Sequence, residues 1–236
     1  MARLSRRIFL QVSGAAALVP GAAETAQGPA LPAPAAAPAP SGPAAGDMYL
    51  FFNAPEAAFI EAAVQRLIPP DEVGPSALEA GVPGYLDKQI HGAWGAGERL
   101  YRAGPWQPGL PTQGYQLPFT PAELFRTALR GIREDLQKNG RPAFEQMDGA
   151  QQDEYLTLLQ TTQRDLAGVP SDVFFESLLG MTIEGYFCDP VYGGNRDMAA
   201  WRMIGFPGAY AAFYDLVDRH GVAFAATPRS LSEQAG

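Results

Sequence analysis

Thr120-Pro121-Ala122-Glu123-Leu124-Phe125-Arg126-Thr127-Ala128-Leu129-Arg130-Gly131-Ile132-Arg133-Glu134-Asp135-Leu136-Gln137-Lys138-Asn139-Gly140 is the stretch that decides the fold. Thr120 and Glu123 have capping-box spacing, and Pro121 stands at the first helical position, where its missing N–H costs nothing. Leu124, Phe125, Ala128, Leu129, Ile132 and Leu136 then recur at helical spacing and give the helix one apolar face. Asn139-Gly140 stops it.

The same grammar repeats on both sides. Asn53, Pro55 and Glu56 open a helix whose stripe is Phe59, Ile60, Ala63, Val64, Leu67 and Ile68, closed by Pro69-Pro70. A second helix is expected over 78–90. Asp148 with Gln151 opens another, carrying Tyr155, Leu156, Leu158, Leu159 and Leu166 inward. After Gly168-Val169-Pro170, the spacing of Phe174, Phe175, Leu178, Leu179, Ile183, Tyr186 and Phe187 predicts a long helix over 171–186. No run alternates with period two between hairpin turns, and nothing repeats internally. The expected fold is all-α, a single helical domain over 48–225 with long irregular loops and a flexible tail over 226–236. The irregular passage 92–119 holds Trp94, Tyr101, Trp106 and Tyr115, either covering the core or anchoring a partner.

Residues 1–25 read as a targeting peptide. Ser5-Arg6-Arg7-Ile8-Phe9-Leu10 is a twin-arginine pattern, with Arg6, Arg7, Phe9 and Leu10 as its signal residues, before a weakly apolar stretch over 12–19. That stretch is too short to span a bilayer. The Ala/Pro/Gly-rich segment 26–47 follows, with prolines at 29, 32, 34, 38, 40 and 43, and reads as a disordered tether. The chain has 236 residues and a formal charge of −8. Loss of residues 1–23, which hold three arginines and no acid, would leave 14 basic against 25 acidic residues, or −11. An acidic body without a Lys/Arg cluster argues against nucleic acid.

Twin-arginine export carries folded proteins, typically with a cofactor inserted, yet no cofactor motif is legible. Gly95-Ala96-Gly97 and Gly193-Gly194 lack the strand–turn–helix setting of a dinucleotide fold. One cysteine, Cys188, cannot ligate an iron–sulfur cluster or attach a haem. His91 and His220 stand far apart, and no Gly-x-Ser-x-Gly occurs. The expectation is no catalytic, cofactor or metal residue in this chain. Glu184 and Asp189 could form an acid–base pair, with helix capping as the competing role. Cys188 is either buried or paired with another chain.

The densest polar segment runs from Thr182 to Met198, then Trp201 and Ile204-Gly205-Phe206-Pro207-Gly208. Its composition fits a protein–protein anchor or an intramolecular clamp. Asp189-Pro190-Val191-Tyr192-Gly193-Gly194-Asn195-Arg196-Asp197-Met198 with these residues resembles the small (gamma) subunit family of membrane-bound gluconate 2-dehydrogenase. So do Leu67-Ile68-Pro69-Pro70-Asp71, Ala80-Gly81-Val82-Pro83, Gly92-Ala93-Trp94-Gly95, Gln113-Gly114-Tyr115-Gln116 and Thr120-Pro121-Ala122-Glu123-Leu124, in order across 52–210.

The resemblance implies a non-catalytic subunit of a complex that oxidises gluconate or a related sugar acid, sugar or polyol. An FAD-binding large subunit would perform the chemistry, and a multihaem cytochrome c would take the electrons and hold the assembly at the periplasmic membrane face. The small subunit would bind the flavoprotein and escort it through the twin-arginine translocase. Trp94, Tyr115, Cys188, Tyr192, Asn195, Arg196, Asp197 and Trp201 are then the expected partner contacts, with Cys188 open to an intersubunit disulfide. The other readings are an independent periplasmic enzyme using Glu184, Asp189 and Arg196, and a tethered binding module.

Overall fold

Three helices begin where the sequence places a reciprocal cap. In the computed structural model, the described residues are 48–107, 109–110, 116–210, 213–222 and 226–234. The expected leader (Arg6, Arg7, Phe9, Leu10), the tether and Tyr115 lie outside them. Helix α1 (Ala54–Leu67) starts with the Asn53 side chain accepting from Glu56 N at 3.1 Å, while Glu56 accepts from Asn53 N at 3.0 Å. After α2 (Val82–His91), helix α3 (Pro121–Lys138) repeats the device with Thr120 and Glu123. Helix α4 (Gly149–Thr161) repeats it with Asp148 and Gln151. Each cap satisfies two otherwise orphaned amides and contributes about 1 kcal/mol.

A short antiparallel ladder, β1 (Asp165–Leu166) with β2 (Val169–Pro170), precedes α5 (Ser171–Phe187). The ladder turns through Ala167 and Gly168, both at positive φ, as a tight two-residue hairpin requires. Two residues per strand are too few to produce alternation, so the all-α expectation becomes a mostly helical fold with one small hairpin. A further helix, α6 (Ala199–Ile204), follows the polar segment and was not expected from periodicity. Among the described residues, no helix is long and apolar enough to cross a membrane.

Helix α5 is the hub. Its residues are apolar on several faces, as a helix surrounded by others must be, and it packs against α1, α2, α3, α4 and α6. Phe174 meets Phe125 of α3 edge-on at 5.4 Å between ring centroids, and Phe59 of α1 meets Phe144 at 4.7 Å. Ile183 departs from the expected core face: it is exposed, one residue before the exposed Glu184.

Helix α2 begins four residues later than the expected 78. Ser76 and Glu79 already bond reciprocally, with Ser76 N donating to Glu79 Oε2 at 2.7 Å and Glu79 N to Ser76 Oγ at 3.1 Å. That turn does not continue because Gly81 enters the left-handed region at φ +80°, and the helix restarts there. Buried Asp87 of α2 then accepts the backbone amides of Leu50, Phe51 and Phe52 at 2.7, 2.9 and 3.0 Å. Arg126 of α3 donates to Phe51 O at 2.7 Å, pairs with buried Glu56 and lies 4.1 Å from the Phe51 ring centroid. The first described residues are thereby rooted to two helices.

The stretch beyond 226 carries more structure than a tail. Arg229 bridges Gly208, and buried Ser230 returns to the end of α5. Composition alone could not reveal this, because the Ser230 bond to Asp189 spans 41 residues in sequence.

Candidate functional site

The polar segment after α5 folds as a knot of left-handed residues held by side-chain bonds. Asp189 caps the 3-10 turn Pro190–Tyr192 by accepting from Val191 N at 3.0 Å. Gly193 takes φ +99°, and Asn195, Asp197 and Met198 all lie near φ +50°. A Cβ on Gly194 would stand 2.0 Å from the Gly185 carbonyl oxygen and 3.0 Å from Cys188 Sγ, so only glycine fits where the turn crosses α5. Arg196 N donates to Ala80 O at 3.0 Å and ties the turn to the approach of α2. Three consecutive-region positive φ values outside glycine store strain, which survives only where surrounding bonds over-determine it.

Asn195 supplies much of that determination. Its side chain is 0% exposed; Nδ2 donates to Cys188 O at 2.8 Å, and Oδ1 accepts from Ala200 N at 2.9 Å, capping α6. Trp201 is 5% exposed and its indole N–H donates to Phe187 O at 2.7 Å. Both side chains are therefore committed inside this chain. The expectation that they contact a partner is replaced by the clamp reading, for a plain physical reason: their polar atoms already have partners and their surface is already covered.

Asp189 joins this knot to the C-terminal segment. Ser230 Oγ donates to its Oδ1 at 2.6 Å, and Leu231 N donates to Oδ2 at 2.8 Å. Burial pushes its carboxyl pKa up, but the bonds from Ser230, Val191 N and Leu231 N outweigh burial and hold it below the usual carboxylate range. With both oxygens engaged, Asp189 serves as a structural cap, and the acid–base pairing with Glu184 loses one member.

What remains open to solvent lies between α2 and the end of α5. Tyr85, Gln89, Glu184, Phe187, Cys188, Asp189 and Tyr192 line a cleft of about 390 Å³, and Trp94 and Met181 extend it past Tyr85 and Glu184. Tyr85 OH donates to Glu184 Oε2 at 3.3 Å. Burial, and then the Glu184 charge, push the Tyr85 phenol up to about 12, so it stays protonated and a donor. Cys188 is half-buried, its Sγ donating to Gly185 O at 3.3 Å. Burial pushes its thiol pKa up, against a hydrogen bond from the Gly194 backbone, so little thiolate exists at neutral pH.

Of the residues singled out in the sequence, the structure gathers Cys188 and Tyr192 in this cleft and Trp94 at its extension. Trp94 and Tyr192 are each 49% exposed. Asp197 is exposed on the far side of the turn, its carbonyl receiving Arg202, and Arg196 is half-buried against Gly81. Sequence reasoning missed Tyr85 and Gln89, which sit on one face of α2 at i, i+4; that spacing was the available signal. Among the described residues, no three His, Cys, Asp or Glu side chains converge to hold a metal. Two further recesses among the described residues, one of about 200 Å³ between α1 and α3 and one of about 190 Å³ lined by Tyr101 and Trp106, hold none of the other residues singled out as partner contacts.

The sequence profile of the family described as gluconate 2-dehydrogenase subunit 3 matches residues 54–208. Searches of curated proteins and of solved structures returned no match. The matched span begins at α1 and ends just beyond α6, so it holds the whole helical body, the cleft and the knot. The chain belongs to the gluconate 2-dehydrogenase subunit 3 family.

Proposed function

We propose, with membership of that family as the premise, that this chain is the non-catalytic small subunit of a periplasmic, membrane-associated dehydrogenase acting on gluconate or a related sugar acid, sugar or polyol. In this reading the FAD sits in a large catalytic subunit, and haem c sits in a cytochrome subunit that receives the electrons. The small subunit grips the flavoprotein and lends it the twin-arginine signal at Arg6 and Arg7. The observation that carries the reading is the family match across the entire helical body.

The surface supports it. Trp94 and Tyr192 expose aromatic area at the cleft, and Ile183 and Val191, their chain neighbours Glu184 and Tyr192 lining it, are exposed as well; a monomer gains nothing by leaving such area wet and an interface gains by covering it. The strained 193–198 turn, fixed by Asn195 and Trp201, holds Tyr192 and Cys188 at that surface. Cys188 lies within reach of a partner at the cleft, and an intersubunit disulfide there is part of the proposal. Such a bond needs a disulfide-class oxidant: the oxidant first forms a mixed disulfide with the partner thiol, and Cys188, slowed by its raised pKa, then displaces the oxidant's sulfur as a thiol.

Co-expression of the full chain with its co-encoded large subunit tests the reading. A tagged small subunit should bring down a yellow, flavin-bearing protein, and Arg6→Lys with Arg7→Lys should retain both chains in the cytoplasm. A colourless monomer with its own activity would reject the proposal. A non-reducing gel that shows only separate chains would remove the disulfide alone.

A further inference from the structure

The cleft has a chemistry of its own, and it is that of a cation site. Glu184 is exposed, and among the described residues its carboxylate accepts one side-chain hydrogen bond, the long one from Tyr85 OH. No basic side chain among the described residues pairs with it. Lys88, which precedes Gln89 in α2, lies over Gly193. Around this unpaired carboxylate stand three aromatic rings, Tyr85, Tyr192 and Trp94. A carboxylate and aromatic side chains lining one cleft both favour a cation there.

We propose that the cleft receives an arginine side chain from the flavin-bearing partner, with Glu184 accepting its guanidinium. This inference rests on the subunit reading above and names the contact through which that subunit binds. Arginine suits the cleft better than lysine because its planar, weakly hydrated head can stack on an aromatic face while donating two parallel bonds to one carboxylate. Gln89 adds an amide oxygen as a further acceptor beside it. A free small cation would leave the half-exposed Trp94 and Tyr192 of the cleft uncovered. A protein surface that presents an arginine covers them, giving a desolvated charged centre inside an apolar rim.

The test is affinity between the full chain and the flavoprotein subunit at physiological salt. Glu184→Gln keeps the shape and removes the charge. Because Glu184 is exposed and carries one weak bond, the variant should melt with the wild type. Binding should weaken about 30-fold or more, as expected when a charged pair that is buried on association loses one partner. Glu184→Lys should weaken it further, by placing like charges together. Glu134→Gln removes an equal charge from the exposed face of α3 and should leave binding within about threefold. If Glu184→Gln and Glu184→Lys bind like the wild type, the arginine anchor is wrong and the subunit reading stands. If the wild type itself binds no flavoprotein, both fall.

Discussion

Replacing Asn195 by alanine should unfasten the knot that shapes the cleft, and the cost can be built from its parts. The side chain is fully buried and makes two bonds, to Cys188 O and from Ala200 N. Removing it leaves a carbonyl and an amide without partners, at about 1–3 kcal/mol each. Alanine must also hold φ +44°, which asparagine tolerates and a plain Cβ does not, adding about 1 kcal/mol. Taking the lower end for each group, the total is about 3 kcal/mol. For a domain of this size that corresponds to a fall in melting temperature of about 6–12 °C. Urea denaturation measures the energy, and Cys188 alkylation reports the local opening, which should accelerate. Asn195→Gly removes the same bonds but relieves the backbone, so it should recover about 1 kcal/mol. If alanine costs less than about 1 kcal/mol, or glycine is no better than alanine, the clamp argument is refuted.

Three further outcomes follow from the same geometry. Asp189 has a depressed native pKa, so its stabilisation is complete above the unfolded value of about 3.9 and is lost as pH falls through the native one. The stability gap between wild type and Asp189→Asn should therefore be widest near neutral pH and close below about pH 4; a gap that widens in acid contradicts this. Cys188 in the isolated chain should alkylate more slowly than a free thiol, with its rate still rising above pH 8.5; fast reaction at pH 7 would mean that burial does not control it. Gly194→Ala would drive a Cβ into the Gly185 carbonyl and should cost about 3 kcal/mol or more, whereas Gly180→Ala, with open space around it, should stabilise α5 by about 0.5–1 kcal/mol. Equal melting temperatures for these two variants would show that the close approach at Gly194 is not real.

What was legible in the sequence was what local spacing controls. Asn53 with Glu56, Thr120 with Glu123, and Asp148 with Gln151 each bond across three residues, and each helix starts where those pairs stand. The apolar stripes located the core because a helix face repeats at fixed intervals. The illegible parts depend on residues brought together only by folding. Asp87 collects amides from 35 to 37 residues away, and Asp189 reaches Ser230 across 41. Helix α6 escaped notice because it is six residues long and its Ala200 amide is satisfied by Asn195, whose backbone is left-handed, rather than by its own N-cap residue. Trp94, Cys188 and Tyr192, which line the cleft and its extension, stand out in the sequence because aromatic and polar residues cluster there in irregular stretches. Asn195 and Trp201 belonged to the same cluster, and only burial separates a clamp from an anchor. Tyr85 and Gln89 looked like ordinary helix residues until α5 was placed beside them.

Hydrogen exchange on the full chain, with and without the flavin-bearing subunit, tests most directly whether the cleft face is where this subunit meets its partner. The account predicts added protection at the end of α2, through Trp94, and across 183–192, with α4 on another side unchanged. Protection confined to α4, or none at the cleft in a complex that has formed, would contradict it.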